Sequence, residues 1–276
     1  MLHSEEWEIP PEQVVLSDDE VHVWRVSVLQ PLATIQYLRS LLSRDEIARA
    51  ERFRFEKDRY RFIVTHGLLR ILLAHYLNIP FVSASQLHFC TNAYGKPSLD
   101  LDMQDHVLNF NLSHSHELIL FAFTYVRQVG IDIEYMRPDL DFESLAQHSF
   151  SLLENEMLRT LPTSERMKAF YQCWSRKEAY IKARGKGLAI PLDSFDVSLR
   201  PDEPAALLNS REDPHETAHW SMCALHPHPD YASALAVMNP MLKSGGLRCI
   251  SHVEGDSWRL HRWQLPPIEK RQGNGV

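Results

Sequence analysis

Val129-Gly130-Ile131-Asp132-Ile133-Glu134 and Trp174-Ser175-Arg176-Lys177-Glu178-Ala179-Tyr180-Ile181-Lys182 are the two stretches on which the reading of this chain turns. In the first, apolar and acidic residues alternate, so an extended strand puts Asp132 and Glu134 on one face beside an apolar layer. An ordinary half-exposed strand shows the same alternation. The second reads as a helix in which Trp174, Glu178 and Lys182 follow one another at i, i+4 and i+8, next to a stripe holding Phe170 and Ile181. An intrahelical Glu178–Lys182 pair worth about 0.3 kcal/mol accounts for that acid on its own. A carboxylate bordering aromatics is costly when unpaired, so a metal or cationic ligand is the alternative. Taken together, three carboxylates from a strand and a helix suit magnesium, which takes oxygen ligands and leaves positions for water and substrate phosphates. Lys182, with Lys177 near it, offers positive charge toward a phosphoryl group, which points to phosphoryl-transfer chemistry.

Working outward, Val21 to Val28 reads as a first strand, and residues 32–48 and 58–77 carry helical apolar spacing. Short strand-like pieces follow at 87–90 and 107–112, then the apolar run 118–126, which reads as a buried central strand. Beyond the strand at 129–134 come helical regions at 140–161 and 165–183 and strands at 195–199 and 231–237. The order nearly repeats. Glu46 and Glu154 open comparable segments, Phe62 and Phe170 fall at the same offset in the next long helix, and Gly95-Lys96-Pro97 and Gly185-Lys186-Gly187 follow. Chance similarity and true duplication both fit; duplication implies two similar lobes with a ligand cleft between them. The expected fold is α+β, with two similar lobes related by a pseudo-twofold axis and the active site in their cleft. The expected organisation is an N-terminal lobe over 1–127, a C-terminal lobe over 128–240 and an extension over 241–276.

The 276 residues, 44% hydrophobic, can bury a substantial core. A formal net charge of −7 gives no support to general nucleic-acid binding. Cys90, Cys173, Cys223 and Cys249 form no CxxC pair, against a zinc ribbon or disulfide framework. No apolar run approaches a membrane span and the first residues lack a signal-peptide pattern, so the expectation is a cytoplasmic chain without nucleic-acid or membrane partners.

The two opening stretches, together with Gly185-Lys186-Gly187-Leu188, Gly95-Lys96-Pro97 and Asn111-Leu112-Ser113-His114-Ser115, resemble the ordered motifs of surfactin-type 4′-phosphopantetheinyl transferases. The similarity runs from about Leu42 to Val237. It implies transfer of the phosphopantetheine arm of coenzyme A to a serine of an acyl- or peptidyl-carrier protein, with magnesium as the cofactor. Asp132, Glu134 and Glu178 would be the metal ligands, and Lys182 and Lys177 would face the coenzyme A diphosphate. His114 would meet the 3′-phosphate, and Lys96, Pro97 and Ser113 would form the adenosine side. Arg49 is a further candidate for the 3′-phosphate, since guanidinium groups bind phosphate bidentately. Glu154 stands where the family carries a glutamate proposed as general base, although a helix-start acid facing the dipole explains it equally. Lys182, Glu178 and Glu154 are thus the candidate catalytic residues.

Two departures from the family pattern stand out: His116 adds a second histidine beside His114, and the tail beyond Pro240 has no counterpart. A zinc hydrolase using His114, His116 and Asp132 is the competing enzyme reading. A noncatalytic coenzyme A or carrier-protein binding module is the other alternative. Two lobes in one chain make a monomer sufficient.

Overall fold

The computed structural model describes residues 14–100, 107–200, 203–238, 248–250 and 258–264, the last two segments through their strand pairing alone. Strand β1 (Glu20–Ser27) buries Val21, Val23, Trp24 and Val26 and leads to helices α1 (Leu32–Ser40) and α2 (Arg44–Ala50). The single helix expected over 32–48 is divided because Ser43 takes the N-cap of α2. Its hydroxyl accepts from the Glu46 amide, and the Glu46 carboxylate accepts from the Ser43 amide. The long helix α3 (Glu56–Tyr76) follows, then a hairpin of β2 (Phe89–Thr91) and β3 (Pro97–Leu99), then strands β4 (Leu108–Ser115) and β5 (Leu118–Tyr125). As expected for a buried central strand, β5 lies between β1 and β4, with Ile119, Leu120, Phe121, Ala122 and Phe123 all sealed from solvent.

The second half follows the same plan. Strand β6 (Val129–Tyr135) leads to α4 (Phe142–Ser149), α5 (Leu152–Thr160) and the long helix α6 (Thr163–Arg184). A hairpin of β7 (Phe195–Val197) and β8 (Leu207–Ser210), the short helix α7 (Glu216–His219), β9 (Trp220–Leu225) and β10 (Tyr231–Met238) complete it. The expected helix over 140–161 is divided as its partner was: Ser151 caps α5 in a capping box with Glu154. Gly185, left-handed at φ 68°, ends α6 and lets its amide turn back to the Ile181 and Lys182 carbonyls. The strand order β1-β5-β4 of the first half returns as β6-β10-β9 in the second. The fold is α+β, and this repeated order favours duplication over chance.

A repeated ion pair supports the same conclusion. Glu46 accepts from Nε of Arg70 on α3 at 2.8 Å, and the fully buried Arg70 also donates to the carbonyls of Ala84 and Leu87. In the second half Glu154 meets Nζ of Lys177 on α6 at 2.8 Å, and Lys177 donates to the carbonyls of Leu192 and Phe195, both at 2.7 Å. In each half, then, a capping-box glutamate holds a cation on the next long helix, and that cation clamps the chain leading into the following hairpin.

The halves meet along β4 and β6. Asn111, Ser113 and Ser115, alternate residues of β4, reach across to β6: Asn111 Oδ1 accepts from the Ile131 amide at 2.9 Å, and Ser115 Oγ accepts from the Tyr135 amide at 3.0 Å. A shared core of Val21, Val23, Leu120, Ile131, Ile133 and Leu235 lies beneath this seam. The symmetry breaks at the other edge, where β12 (Trp258–Gln264), itself paired with β11 (Arg248–Ile250), adds to β1. Part of the expected extension is therefore sheet built onto the first half, while its residues 241–247, 251–257 and 265–276 lie outside the described residues.

Helix α6 rests on β6 at unusually close range. A Cβ on Gly130 would lie 2.1 Å from the Ala179 carbonyl oxygen and 2.3 Å from the Ala183 nitrogen. Gly130→Ala must therefore push α6 off the sheet, and its expected cost is about 3 kcal/mol or more, read as a fall in the denaturant midpoint with the m-value unchanged. A second expectation concerns acid. Burial works to raise the Glu46 carboxyl, but hydrogen bonds from His66 and the Ser43 amide and the Arg70 charge hold it down at about 2, against 4.5 for the free group. Its stabilising contribution is complete above about pH 4.5 and is lost as pH falls toward 2. Thermal melts of Glu46→Gln and the native chain should differ most near neutrality and converge in that acid window.

Candidate active site

The seam carries the acids. Asp132 projects from β6 and is buried, and its Oδ1 accepts from Ser113 Oγ of β4 at 2.9 Å and from Lys182 Nζ of α6 at 2.7 Å. Lys182 also donates to Ser113 Oγ at 3.0 Å. Three elements thus converge on one carboxylate oxygen. The other oxygen, Oδ2, is buried with no hydrogen-bond partner. Glu134, two residues along the same face, accepts from Ser115 Oγ at 3.2 Å. Burial, then the Asp132 charge, pushes its carboxyl up to about 7. Glu178 on α6 is raised as well, by burial first and then by Asp132. Among the described residues the ion pair of Lys182 is with Asp132, with side-chain exposures of 28% and 4%, and not with its helical neighbour Glu178. The acids are therefore crowded, desolvated and only partly neutralised, an arrangement that favours an added cation.

The donor set fits a hard divalent ion. Among the described residues no group of three or more His, Cys, Asp or Glu side chains already stands as a metal cage. The fit rests on the bare Asp132 oxygen beside Glu134 and Glu178, all oxygen donors. Such an open set suits an ion that keeps waters and substrate phosphates among its ligands.

The other predicted residues separate into groups. His114, near the outer end of β4, is an exposed residue whose imidazole is partly desolvated; that burial, then Arg61 and, more weakly, Lys182 and His66, lowers its pKa. Arg61 and His66 were not singled out in the sequence; their place on the face of α3 toward β4 is a tertiary fact. Arg49 is exposed and lies over the Phe62 ring at 5.4 Å, and Phe62 in turn stacks on His66 at 4.0 Å between centroids. Lys96 and Pro97 line a cavity of about 210 Å³ with Asn109, Gln128 and Arg184. The Lys96 ammonium, however, braces the seam: it donates to the Val129 carbonyl at 3.1 Å and the Ala183 carbonyl at 3.0 Å, and burial lowers its pKa to about 8.

Three of the expected site residues are engaged with other groups of the chain. The Ser113 hydroxyl donates to Asp132 and accepts from Lys182. Lys177 is fully enclosed with Glu154. One Glu154 oxygen accepts from the Lys177 ammonium and the Ser151 amide, and the other from the Val197 amide at 2.8 Å. His116 leaves the strand alternation at φ 49° and stacks on Tyr135 at 4.7 Å, so it does not join His114 beside Asp132 as the zinc reading requires.

A second cavity, of about 350 Å³, opens next to Glu134 and is walled by Tyr135, Leu140, Phe170, Tyr171 and Trp174. Acids at a seam between the two lobes, with cations on one side and an aromatic-walled cavity on the other, form an arrangement suited to a phosphate-bearing ligand. Comparison with known proteins narrows this. Residues 30–125 match the model of the 4′-phosphopantetheinyl transferase N-terminal family, and residues 128–236 that of the 4′-phosphopantetheinyl transferase superfamily. The chain is 42% identical over 231 residues to the 4′-phosphopantetheinyl transferase HetI of Nostoc sp., covering 84% of this chain and 93% of that protein. It is 30% identical over 209 residues to the 4′-phosphopantetheinyl transferase Sfp of Bacillus subtilis, covering 72% of this chain and 88% of that protein. The chain belongs to the 4′-phosphopantetheinyl transferase family.

A divalent ion that bound the open Asp132 oxygen would stabilise the native state by mass action. At about a hundred times its dissociation constant the gain is about 2.7 kcal/mol. The melting temperature of the native chain should rise with added magnesium after chelation, and that of Asp132→Asn should not.

Proposed function

We propose that this chain transfers the 4′-phosphopantetheine group of coenzyme A to a serine hydroxyl of an apo acyl- or peptidyl-carrier protein, releasing adenosine 3′,5′-bisphosphate. The observation that carries the reading is the Asp132 carboxylate: one oxygen is fixed by Lys182 and Ser113, the other is bare and buried, and two further acids stand beside it. Asp132, Glu134 and Glu178 would hold magnesium, which when bound neutralises diphosphate oxygens as the leaving group departs.

The remaining roles fall to the chain's own side chains. Lys182 is partly exposed and fixed at the seam, where its ammonium offsets charge developing on the departing bisphosphate. His114 and His66, beside the Arg61 guanidinium, form a corner of donors for the 3′-phosphate, and Arg49 adds a second guanidinium at its edge. Lys96 and Pro97 present stem and ring to the adenosine. The serine oxygen bonds to the pantetheine-side phosphorus, the bond from that phosphorus to the bridging oxygen breaks, and the bridging oxygen leaves with the electron pair. The serine proton passes to Glu178 or to a water held beside it. Because the whole constellation comes from one chain, a monomer suffices. Among the described residues no helix is long and apolar enough to cross a membrane, in keeping with a cytoplasmic site of action.

The test is intact-mass analysis of several apo-carrier proteins incubated with this chain, coenzyme A and magnesium; the phosphopantetheine increment on serine is expected, and its absence from every carrier would refute the reading. Asp132→Ala and Glu178→Ala should each lower transfer by about 100-fold or more while circular dichroism stays native. His114→Ala should weaken coenzyme A more than 3′-dephospho-coenzyme A in a competition assay; equal losses would return His114 to a structural role.

A further inference from the structure

The enclosed Glu154–Lys177 pair is one of the most completely buried ionic groups among the described residues, with side-chain exposures of 1% and 0%, and the reaction described above gives it nothing to do. Lys177 is the residue immediately before Glu178, five before Lys182 and two before Ala179, whose carbonyl lies against Gly130. Apart from the Ser151 amide of its own capping box, the partners of the pair come from other elements. Glu154 comes from the first turn of α5 and also accepts from the Val197 amide of β7, while Lys177 donates to the Leu192 carbonyl ahead of β7 and to the Phe195 carbonyl at its first residue. The Lys177 ammonium further lies 4.3 Å from the Phe195 ring centroid. The ammonium has three donors and all three are used, which fixes the rotation of α6 about its axis at this turn. Rotating α6 would move Glu178 and Lys182 together relative to Asp132.

Resting on the transferase reading, we propose that Glu154 and Lys177 are positioning residues: a buried ion pair that sets the rotation of α6 and so presents Glu178 and Lys182 to the acidic seam. The first half of the chain supports this. The same group recurs there as Glu46 and Arg70, with carbonyl partners Ala84 and Leu87, although the residue after Arg70 is Ile71, so no carboxylate stands where Glu178 follows Lys177. The pair thus belongs to the lobe architecture, and the second lobe uses it to aim a site. A lysine serving the diphosphate or a glutamate serving as base needs a path to the ligand; here both side chains are closed off by α5, α6 and β7.

The pair can be tested by removing one charge, both, or neither. Breaking a buried pair leaves an uncompensated charge, whereas removing both partners can be nearly neutral. Glu154→Gln and Lys177→Met should each lower the melting temperature and slow single-turnover transfer at saturating coenzyme A by about 100-fold, the scale of a small misplacement of reacting groups. The KM for coenzyme A should move much less. The double variant should recover at least about tenfold of that rate, and Lys177→Arg, which copies the Arg70 arrangement, should melt and transfer close to the native chain. A double variant with a native melt that transfers no faster than Glu154→Gln would overturn the proposal in favour of a proton-accepting Glu154. A Lys177→Arg chain with raised KM for coenzyme A and an unchanged saturated rate would overturn it in favour of ligand contact.

Since single variants can fail to fold, the native chain is also acetylated with and without coenzyme A. Lys182 should react and be protected by the ligand, and Lys177 should stay unmodified in both samples; reaction at Lys177 that coenzyme A suppresses would overturn the proposal. If the native chain modified no carrier protein, the transferase reading would fail, while the melts and the acetylation pattern would still decide whether the pair is enclosed and coupled.

Discussion

The approach of α6 to β6 at Gly130 governs everything above it. No side chain separates the Ala179 carbonyl and the Ala183 amide from the strand, so two elements that normally pack through their side chains meet backbone to backbone. That contact brings Lys182 within 2.7 Å of Asp132 and lets its ammonium reach Ser113 on the opposite lobe. A helix one methyl group further out would leave the lysine short of the acid, and the buried carboxylate with only the Ser113 hydroxyl for a partner. The cost of concentrating carboxylates in a desolvated seam is thus offset by a single cation whose reach depends on a missing side chain.

The seam is also where the duplicated halves stop being alike. In each half the central strand pairs with two neighbours, and the first strand has one free edge. In the first half β12 occupies that edge. In the second half the edge of β6 meets the polar side chains of β4, so rungs of Asn111, Ser113 and Ser115 replace a regular ladder. Side-chain rungs hold strands further apart than backbone pairing does, and this leaves room for carboxylates and a ligand where a continuous sheet would leave none.

Much of this was legible in the sequence, because it depended on local periodicity. Alternation placed Asp132 and Glu134 on one face of a strand, and the run 118–126 gave the central strand of the first sheet. The repeat of Glu46 and Phe62 at Glu154 and Phe170 anticipated the second lobe. Both helix breaks were present as Ser-x-x-Glu, at Ser43 and Ser151, but apolar spacing carried straight through them. What the sequence could not separate were residues with equal local standing. Lys177 and Lys182 both flank Glu178 within a turn or so, yet one is sealed under β7 and the other opens on the seam. Only the packing of α5 and β7, elements distant in sequence, decides which face of α6 is inside. Arg61 and His66 were hidden for the same reason, and Ser113, singled out for an adenosine, showed nothing of its bonds to Asp132 and Lys182: each takes its meaning from a partner on another element.

The pairing of β12 with β1 has a consequence for how the chain acquires its structure. Strand β1 is made before the other described elements, and it finds one neighbour in β5 and the other only in β12, with the whole second half intervening. Closing so long a loop is slow, since entropy must be surrendered before the contact returns anything. On the ribosome the β1 edge therefore stays open until the second half has emerged, and the second half can complete β6, β10 and α6 without it. The first lobe is begun first and finished last, so the exposed β1 edge is the segment a nascent chain most needs shielded from its neighbours.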